Sequence, residues 1–291
     1  MIGWFTSNET FLLTALAYYL VGLSFQVVLR SGVFSLAAAG FWGIGAYTSA
    51  LLSESLGWAV AVVLALVLAG APALGLAAVV ARLRGLYLGM ATIAFDLLVV
   101  SLAYGWDSLT GGALGLFGIP RSATLLSVGG LAVVATFVVA MLQSRAGGRF
   151  VDALRTDETL ARSLGIETGR LRAATIVLSG VLGALAGAVT PLIFGVLGPE
   201  ESGFPLVVLG LTIVVIGGSG SWAGPAIGAV VVTALPEVLR GVDEWRDVVY
   251  GALIVLMVIF APSGLLGLAR SGRHGLRRRV VRAPVTEGTG R

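Results

Sequence analysis

The sequence predicts an all-α protein, a polytopic transmembrane helical bundle of about nine spans, and three observations predict it. Hydrophobic residues fill 57% of the 291 positions and charged residues only 12%, too little polar surface for a chain of this length to face water all round. The apolar residues gather into stretches close to the ~20 residues a helix needs to cross a hydrocarbon core. The arginines fall in alternate intervals between those stretches, as expected when positive charge is retained on the cytoplasmic side.

The first stretch runs from Phe11 to Leu29 and the second from Val33 to Leu52. Trp58 to Ala81 and Leu86 to Tyr104 follow, then a glycine-rich loop and Ala123 to Leu142. A polar interval from Ser144 to Arg172 separates these from Ala173 to Gly195, Phe204 to Gly218, Trp222 to Leu239 and Val248 to Ala269. Each is expected to be helical, because a backbone in hydrocarbon must satisfy its polar groups within its own segment. No basic residue precedes the first stretch within Met1 to Thr10, so a cleavable leader is not expected.

With nine crossings, one side collects Arg30, Arg82, Arg84, the six arginines from Arg145 to Arg172 and the seven from Arg270 onward, sixteen of nineteen. Arg121, Arg240 and Arg246 remain opposite, which places the N-terminus outside and the C-terminus in the cytoplasm. Merging the seventh and eighth stretches would put the Arg145–Arg172 and Arg270–Arg291 clusters on opposite sides. Gly217, Gly218, Gly220, Gly224 and Pro225 therefore read as a break between two elements. Residues 1–269 form one transmembrane domain in this reading, and 270–291 form a disordered, basic cytoplasmic tail against anionic membrane lipid.

Composition excludes most chemistry. The chain has no cysteine and one histidine, His274, in the arginine-rich tail, so thiol and histidine catalysis are not expected and no metal site is assigned. All nineteen basic residues are arginine, and without lysine there is no phosphate-binding Walker loop. Any ATP hydrolysis belongs to a partner, and no catalytic or cofactor-binding residue is assigned. A nucleic-acid partner would need a soluble basic face with aromatics, which is missing.

The polar interval predicts a short helix framed by loops. Thr156 or Asp157 can cap its start, Glu158 and Arg162 are spaced as an i,i+4 pair, and Gly165 suits the C′ position. Leu160, Ala161 and Leu164 give it a small apolar face. Physical chemistry alone leaves two readings open: a helix that docks in a partner's groove, and a connector lying on the membrane surface.

Within this interval DALRTDETLARSLGI resembles the EAA-type coupling loop of ABC importer permeases, in the form found in branched-chain amino acid permeases. Glu158, Ala161, Gly165 and Ile166 carry the match, and Leu160 stands where a second alanine is common. Ser35–Leu52, Arg82–Phe95, Leu109–Pro120 and Pro199–Arg240 are similar to further blocks of that family, in family order. The resemblance implies one of two dissimilar permease subunits in the inner (cytoplasmic) membrane. It would pair with two ATP-binding cassette ATPase subunits and receive substrate from an extracytoplasmic binding protein. Arg149, Arg155, Asp157, Glu158, Ala161, Gly165 and Ile166 would then form the ATPase-coupling loop. The expected cargo is a branched-chain or related amino acid, moved by alternating access, with no covalent chemistry in this chain. A urea, short-amide or sugar permease on the same scaffold is one alternative. An ion-coupled secondary transporter is another, and it would need a relay of buried ionisable groups, of which the spans offer only Asp96.

Candidate pathway residues follow from polarity at depth. Asp96, in the fourth stretch, reads either as pathway lining or as an acid hydrogen-bonded between helices. Thr110, Gly111 and Gly112 read either as a nest of N–H groups for an anion or as a tight turn. Gly217, Gly218 and Ser219 read either as a helix break lining a wet path or as an ordinary loop, and Tyr47, with Thr48 and Gln26, as further lining. Gly183 and Gly187, with Gly40, Gly43 and Gly45, predict close helix packing.

Overall fold

The computed structural model describes residues 2–80, 83, 85–156, 161–162, 165, 167–238, 251 and 264–267. The ninth apolar stretch and the basic tail therefore lie largely or wholly outside the described residues. The helices are α1 (Ile2–Arg30), α2 (Ala38–Leu56), α3 (Trp58–Val80), α4 (Leu86–Gly105), the single turn α5 (Asp107–Thr110), α6 (Leu125–Gln143) and α7 (Arg145–Thr156). They continue with α8 (Thr168–Phe194), α9 (Phe204–Gly217) and α10 (Ala223–Val238). Short 3-10 turns at Gly112–Leu114 and Pro199–Ser202 flank a two-stranded antiparallel ribbon. In it β1 (Leu116–Phe117) pairs with β2 (Val196–Leu197), an exception to the all-helical expectation.

Among the described residues, five helices are long and apolar enough to cross a membrane, namely α3, α4, α6, α8 and the Glu9–Arg30 part of α1, while α9 and α10 are described as shorter apolar helices.

Small residues decide how the bundle packs. In α3, Ala61, Ala65, Ala69, Ala73 and Ala77 recur every fourth residue and are all buried, whereas Val63, Val67, Leu74 and Val79 point outward. This alanine ridge lies against α2 and α8, and the larger residues are left for lipid. Across α2 and α8, a Cβ on Gly183 would run into the Ala38 carbonyl, one on Gly187 into the Trp42 carbonyl, and one on Gly45 into the Ala184 carbonyl. The predicted close packing is thus backbone on backbone, reciprocal between two helices. Gly40 and Gly43 serve a different face of α2, against Phe95 and Asp96 of α4 and against Ser202 and Val99.

Three expectations need correction. The second helix starts at Ala38, five residues into its apolar stretch, because 31–37 forms a turn with Gly32 at φ 71°. The polar interval is not a lone helix framed by loops: Arg145–Thr156, expected as loop, is helical, while Asp157 and most of the predicted Thr156–Gly165 helix lie outside the described residues. The helix that follows this interval begins at Thr168, earlier than Ala173. Gly165 does adopt a left-handed φ of 79°, and its N–H bonds the Arg162 carbonyl at 2.9 Å, as a C′ glycine should.

Candidate functional site

The start of α2 is held from outside. A helix begins with N–H groups that have no partner within it, and Ala37, before α2, offers no side-chain cap. α4 supplies the acceptors. Thr92 Oγ1 accepts the Leu36 N–H at 3.0 Å, and Asp96 Oδ1 accepts the Gly40 N–H at 2.7 Å. Thr92 and Asp96 are i,i+4 neighbours, so both project from one face of α4, and both are buried. An acid at a helix N-terminus also faces the positive end of its dipole. The geometry fits the interhelical reading of Asp96, while its Oδ2 has no hydrogen-bond partner among the described residues. Leu97, one position on, is 55% exposed against 3% for Asp96, so only the acid at 96 can reach α2.

Thr110 and its glycines fold back on the end of α4. Thr110 Oγ1 donates to the Ala103 carbonyl at 2.6 Å, with the Trp106 carbonyl 2.9 Å away. The Gly111 N–H donates to the Asp107 carbonyl at 3.2 Å and the Gly112 N–H to Thr110 Oγ1 at 3.4 Å. Both glycines have positive φ, 73° and 57°, the geometry of a tight turn whose N–H groups are already engaged. Nearby, the Pro199–Ser202 turn packs on α2 and α4. It brings Glu200 and Glu201 within electrostatic reach of Tyr47, whose buried hydroxyl has no partner among the described residues. Burial, together with the neighbouring Glu200, raises the Glu201 carboxyl above its ordinary range, against a lowering hydrogen bond from the Gly198 N–H.

The opposite end carries the densest polar seam. Gly217, Gly218 and Ser219 lie at the turn between α9 and α10, where Gly218 has φ 101° and its N–H closes α9 on the Val214 carbonyl at 2.7 Å. Gln26 Nε2 of α1 donates to the Ser219 carbonyl at 3.0 Å. Gln143 Nε2, at the end of α6, donates to Gln26 Oε1 at 2.8 Å. Arg30 Nη1 donates to Gln143 Oε1 at 2.7 Å, and Arg30 Nη2 stands 3.6 Å from Asp152 Oδ1 of α7. A cavity of about 620 Å³ adjoins this turn, walled by Gly218, Ser219 and Gly220 on one side and by Leu29 and Arg155 on the other. A larger cavity, about 750 Å³, opens between α1, α6 and α10 but is almost wholly apolar. Among the described residues, its polar pair is the 2.6 Å bond between Tyr19 and Thr136.

α7 is the described part of the predicted coupling segment. Arg149 and Arg155 sit on it, both exposed, and Ala161 beyond it is buried. Asp157, Glu158 and Ile166 lie outside the described residues. α7 is seated tightly: a Cβ on Gly148 would meet the Gln143 carbonyl, and one on Gly32 would lie 3.2 Å from the Arg155 Cα.

A helical membrane scaffold with glycine-mediated packing fits many transporters, and comparison with known proteins narrows it. A family profile described as branched-chain amino acid transport system / permease component matches residues 7–258. The chain belongs to that family. The permease is 32% identical over 290 residues to the high-affinity branched-chain amino acid transport system permease protein LivM of Escherichia coli K12, covering 87% of this chain and 68% of LivM. LivH of the same strain is 35% identical over 123 residues, 41% of this chain and 39% of LivH. The autoinducer 2 import system permease protein LsrC of E. coli O9:H4 is 28% identical over 161 residues, 52% of this chain and 47% of LsrC. No solved structure matches the permease.

Sequence reading missed Thr92, Gln143, Arg30 as a side-chain partner, and the 145–156 helix of the permease. Gln143 carried a signal, since an amide at the end of an apolar stretch needs partners once buried. The identity of those partners carried none, because Gln26 and Gln143 are 117 residues apart and Gln26 and Ser219 are 193 apart.

Proposed function

We propose that this permease is one membrane subunit of an ABC importer that carries branched-chain or related amino acids across the cytoplasmic membrane by alternating access. A second, dissimilar permease subunit, two ATPase subunits and an extracytoplasmic binding protein complete the machine. The observation that carries the reading is the similarity to LivM along 87% of this chain, including the cytoplasmic segment that would meet the ATPases.

In this reading the chain crosses nine times, with α9 and α10 forming the seventh and eighth passes and the ninth apolar stretch closing the bundle. The segment from Ser144 to Arg172 is the coupling loop, and Arg149, Arg155, Asp157, Glu158, Ala161, Gly165 and Ile166 meet the ATPase dimer. Closure of that dimer moves the loop and exchanges outward-facing for inward-facing arrangements. Tyr47, at the end near Glu200 and Glu201, and the Gly217–Ser219 turn, at the end near Arg30, line opposite ends of the path. Asp96, Thr110, Gly111 and Gly112 border the path and hold its shape through the bonds described above. The engagement of Asp96 with the Gly40 N–H speaks against a proton or ion relay, which needs a series of exchangeable groups.

The test is uptake into proteoliposomes holding the assembled complex and its binding protein. Labelled leucine is expected to accumulate only with ATP inside and binding protein outside. Uptake of urea but not leucine would replace the substrate assignment, and ATP-independent uptake would replace the importer reading.

A further inference from the structure

The seam from α7 to the glycine turn has one polarity. Arg30 can only donate hydrogen bonds, and a backbone carbonyl can only accept them. With Arg30 at one end and the Ser219 carbonyl at the other, both amides between them are fixed. Gln143 must offer its oxygen to Arg30 and its nitrogen to Gln26, and Gln26 must offer its oxygen to Gln143 and its nitrogen to Ser219. Neither amide can turn over without setting donor against donor or acceptor against acceptor.

The seam also adjoins empty volume at both ends. It lies between two spaces: the cavity of about 620 Å³ beside the turn, and one of about 170 Å³ lined by Val27, Arg30, Gln143, Val151 and Thr175 among others. Side chains in a close-packed interior have nowhere to go, whereas Arg30 and Gln143 border the smaller space and Ser219, at the other end of the seam, borders the larger. On the cytoplasmic side Arg30 reaches Asp152, and α7 rests on the Gln143 carbonyl at Gly148. A displacement of α7 therefore acts directly on Arg30 and Gln143.

We propose that Arg30, Gln143 and Gln26 form a polar relay that transmits movement of α7 to the 217–220 turn, so that opening of this end of the path is tied to the cytoplasmic coupling segment. Gln143 is the positioning residue at its centre, joining α1, α6 and, through Arg30, α7. In a low-dielectric site an amide abandoned by its partner is costly, so the four groups move together rather than singly. The relay rests on the importer reading above.

The chain has no cysteine, which allows a single reporter. Gly220 is exposed, and a Cβ there would meet nothing within 4 Å. The experiment places Gly220→Cys in the assembled complex and measures its rate of labelling by a hydrophilic thiol reagent, nucleotide-free and vanadate-trapped. The labelling rate is expected to differ between the two states by about fivefold or more, the size of ordinary site-to-site coupling. Gln143→Glu still accepts from Arg30 but cannot, when ionised, donate to Gln26, and Gln143→Met removes both bonds. Both are expected to erase the difference and to leave ATP hydrolysis running without leucine import. Gln143→Glu, which keeps the partner of Arg30, guards against the case where Gln143→Met fails to assemble. A state-dependent difference that survives in Gln143→Glu with import intact would overturn the relay, as would no difference in the Gly220→Cys complex while that complex imports. Absence of ATP-driven import in the unmodified complex would instead overturn the importer reading on which the relay depends.

Discussion

The α2–α8 contact and the seam around Gln143 are both central to the bundle, but they are built on opposite principles. At the first, glycines bring backbones together until no atom can be added: Gly183, Gly187 and Gly45 each face a carbonyl of the other helix. At the second, long polar side chains bridge α1, α6, α7 and the 217–220 turn across a region flanked by cavities of about 620 and 170 Å³. The first arrangement has one packing solution and resists change. The second has directional bonds and room, the combination that lets an element occupy two positions. A transporter needs both, because a movable part transmits force only when it is hinged on a part that does not yield.

The contrast breaks most sharply at Gly187. Gly187→Val puts branched carbon where the Trp42 carbonyl lies, and overpacking of this kind costs about 1–3 kcal/mol or more. Loss of monodisperse protein in detergent, or a collapse of its melting temperature, is expected, and a variant melting like the unaltered chain would refute the close-packed description. Next comes Gly148→Val, on the yielding side. Its side chain would push α7 away from the Gln143 carbonyl. Leucine import is expected to fall about tenfold, within the range of measured coupling energies, with little change in melting temperature. A loss of stability as large as that of Gly187→Val would erase the distinction between the two regions.

Asp96 tests how far the rigid region extends. Asp96→Leu strands the Gly40 N–H and is expected to cost about 1–3 kcal/mol, whereas Asp96→Asn retains an acceptor oxygen and should lose less than half of that. Thermal melting of both variants checks the order, and equal losses would mean that the cap is not what holds the start of α2. The smallest effect belongs to Glu201. Because burial, seconded by Glu200, raises its folded-state carboxyl above the ordinary 4.5, the folded chain binds this proton more tightly than the unfolded one. Stability from this group is therefore greatest below pH 4.5 and declines as pH rises through the raised value. Glu201→Gln should flatten that part of the melting temperature–pH curve, and an unchanged slope would remove Glu201 as its source.

How much could be read in advance depended on how local each cause is. The alternation of apolar stretches with arginine-bearing intervals located α1, α3, α4, α6, α9 and α10 to within a few residues at most ends. The GxxxG spacing of Gly183 and Gly187 announced a thin helix face, because that spacing is a property of one segment. The start of α2 was misjudged because Val33–Ala37 is apolar enough to continue a helix, and the cap that ends the ambiguity comes from Thr92 and Asp96 on another helix. Arg145–Thr156 was missed because it fell in the loop expected ahead of the Thr156–Gly165 helix, and glycines at 147 and 148 weaken any helical signal there, yet Gly148 lets α7 settle on Gln143.

Composition and periodicity marked a chain with several membrane-spanning helices and located most of its apolar helices, and the resemblance of its sequence blocks pointed to the branched-chain amino acid permease family. All three depend on residues close together in sequence and on a solvent that penalises any unsatisfied backbone. Only the tertiary structure decided that Asp96 caps α2 and that Gln26, Gln143 and Arg30 share one line of bonds to Ser219. A polar side chain buried among helices declares that it needs a partner, but hydrogen bonds form across space, and the sequence does not state which distant residue the packing will bring within 3 Å.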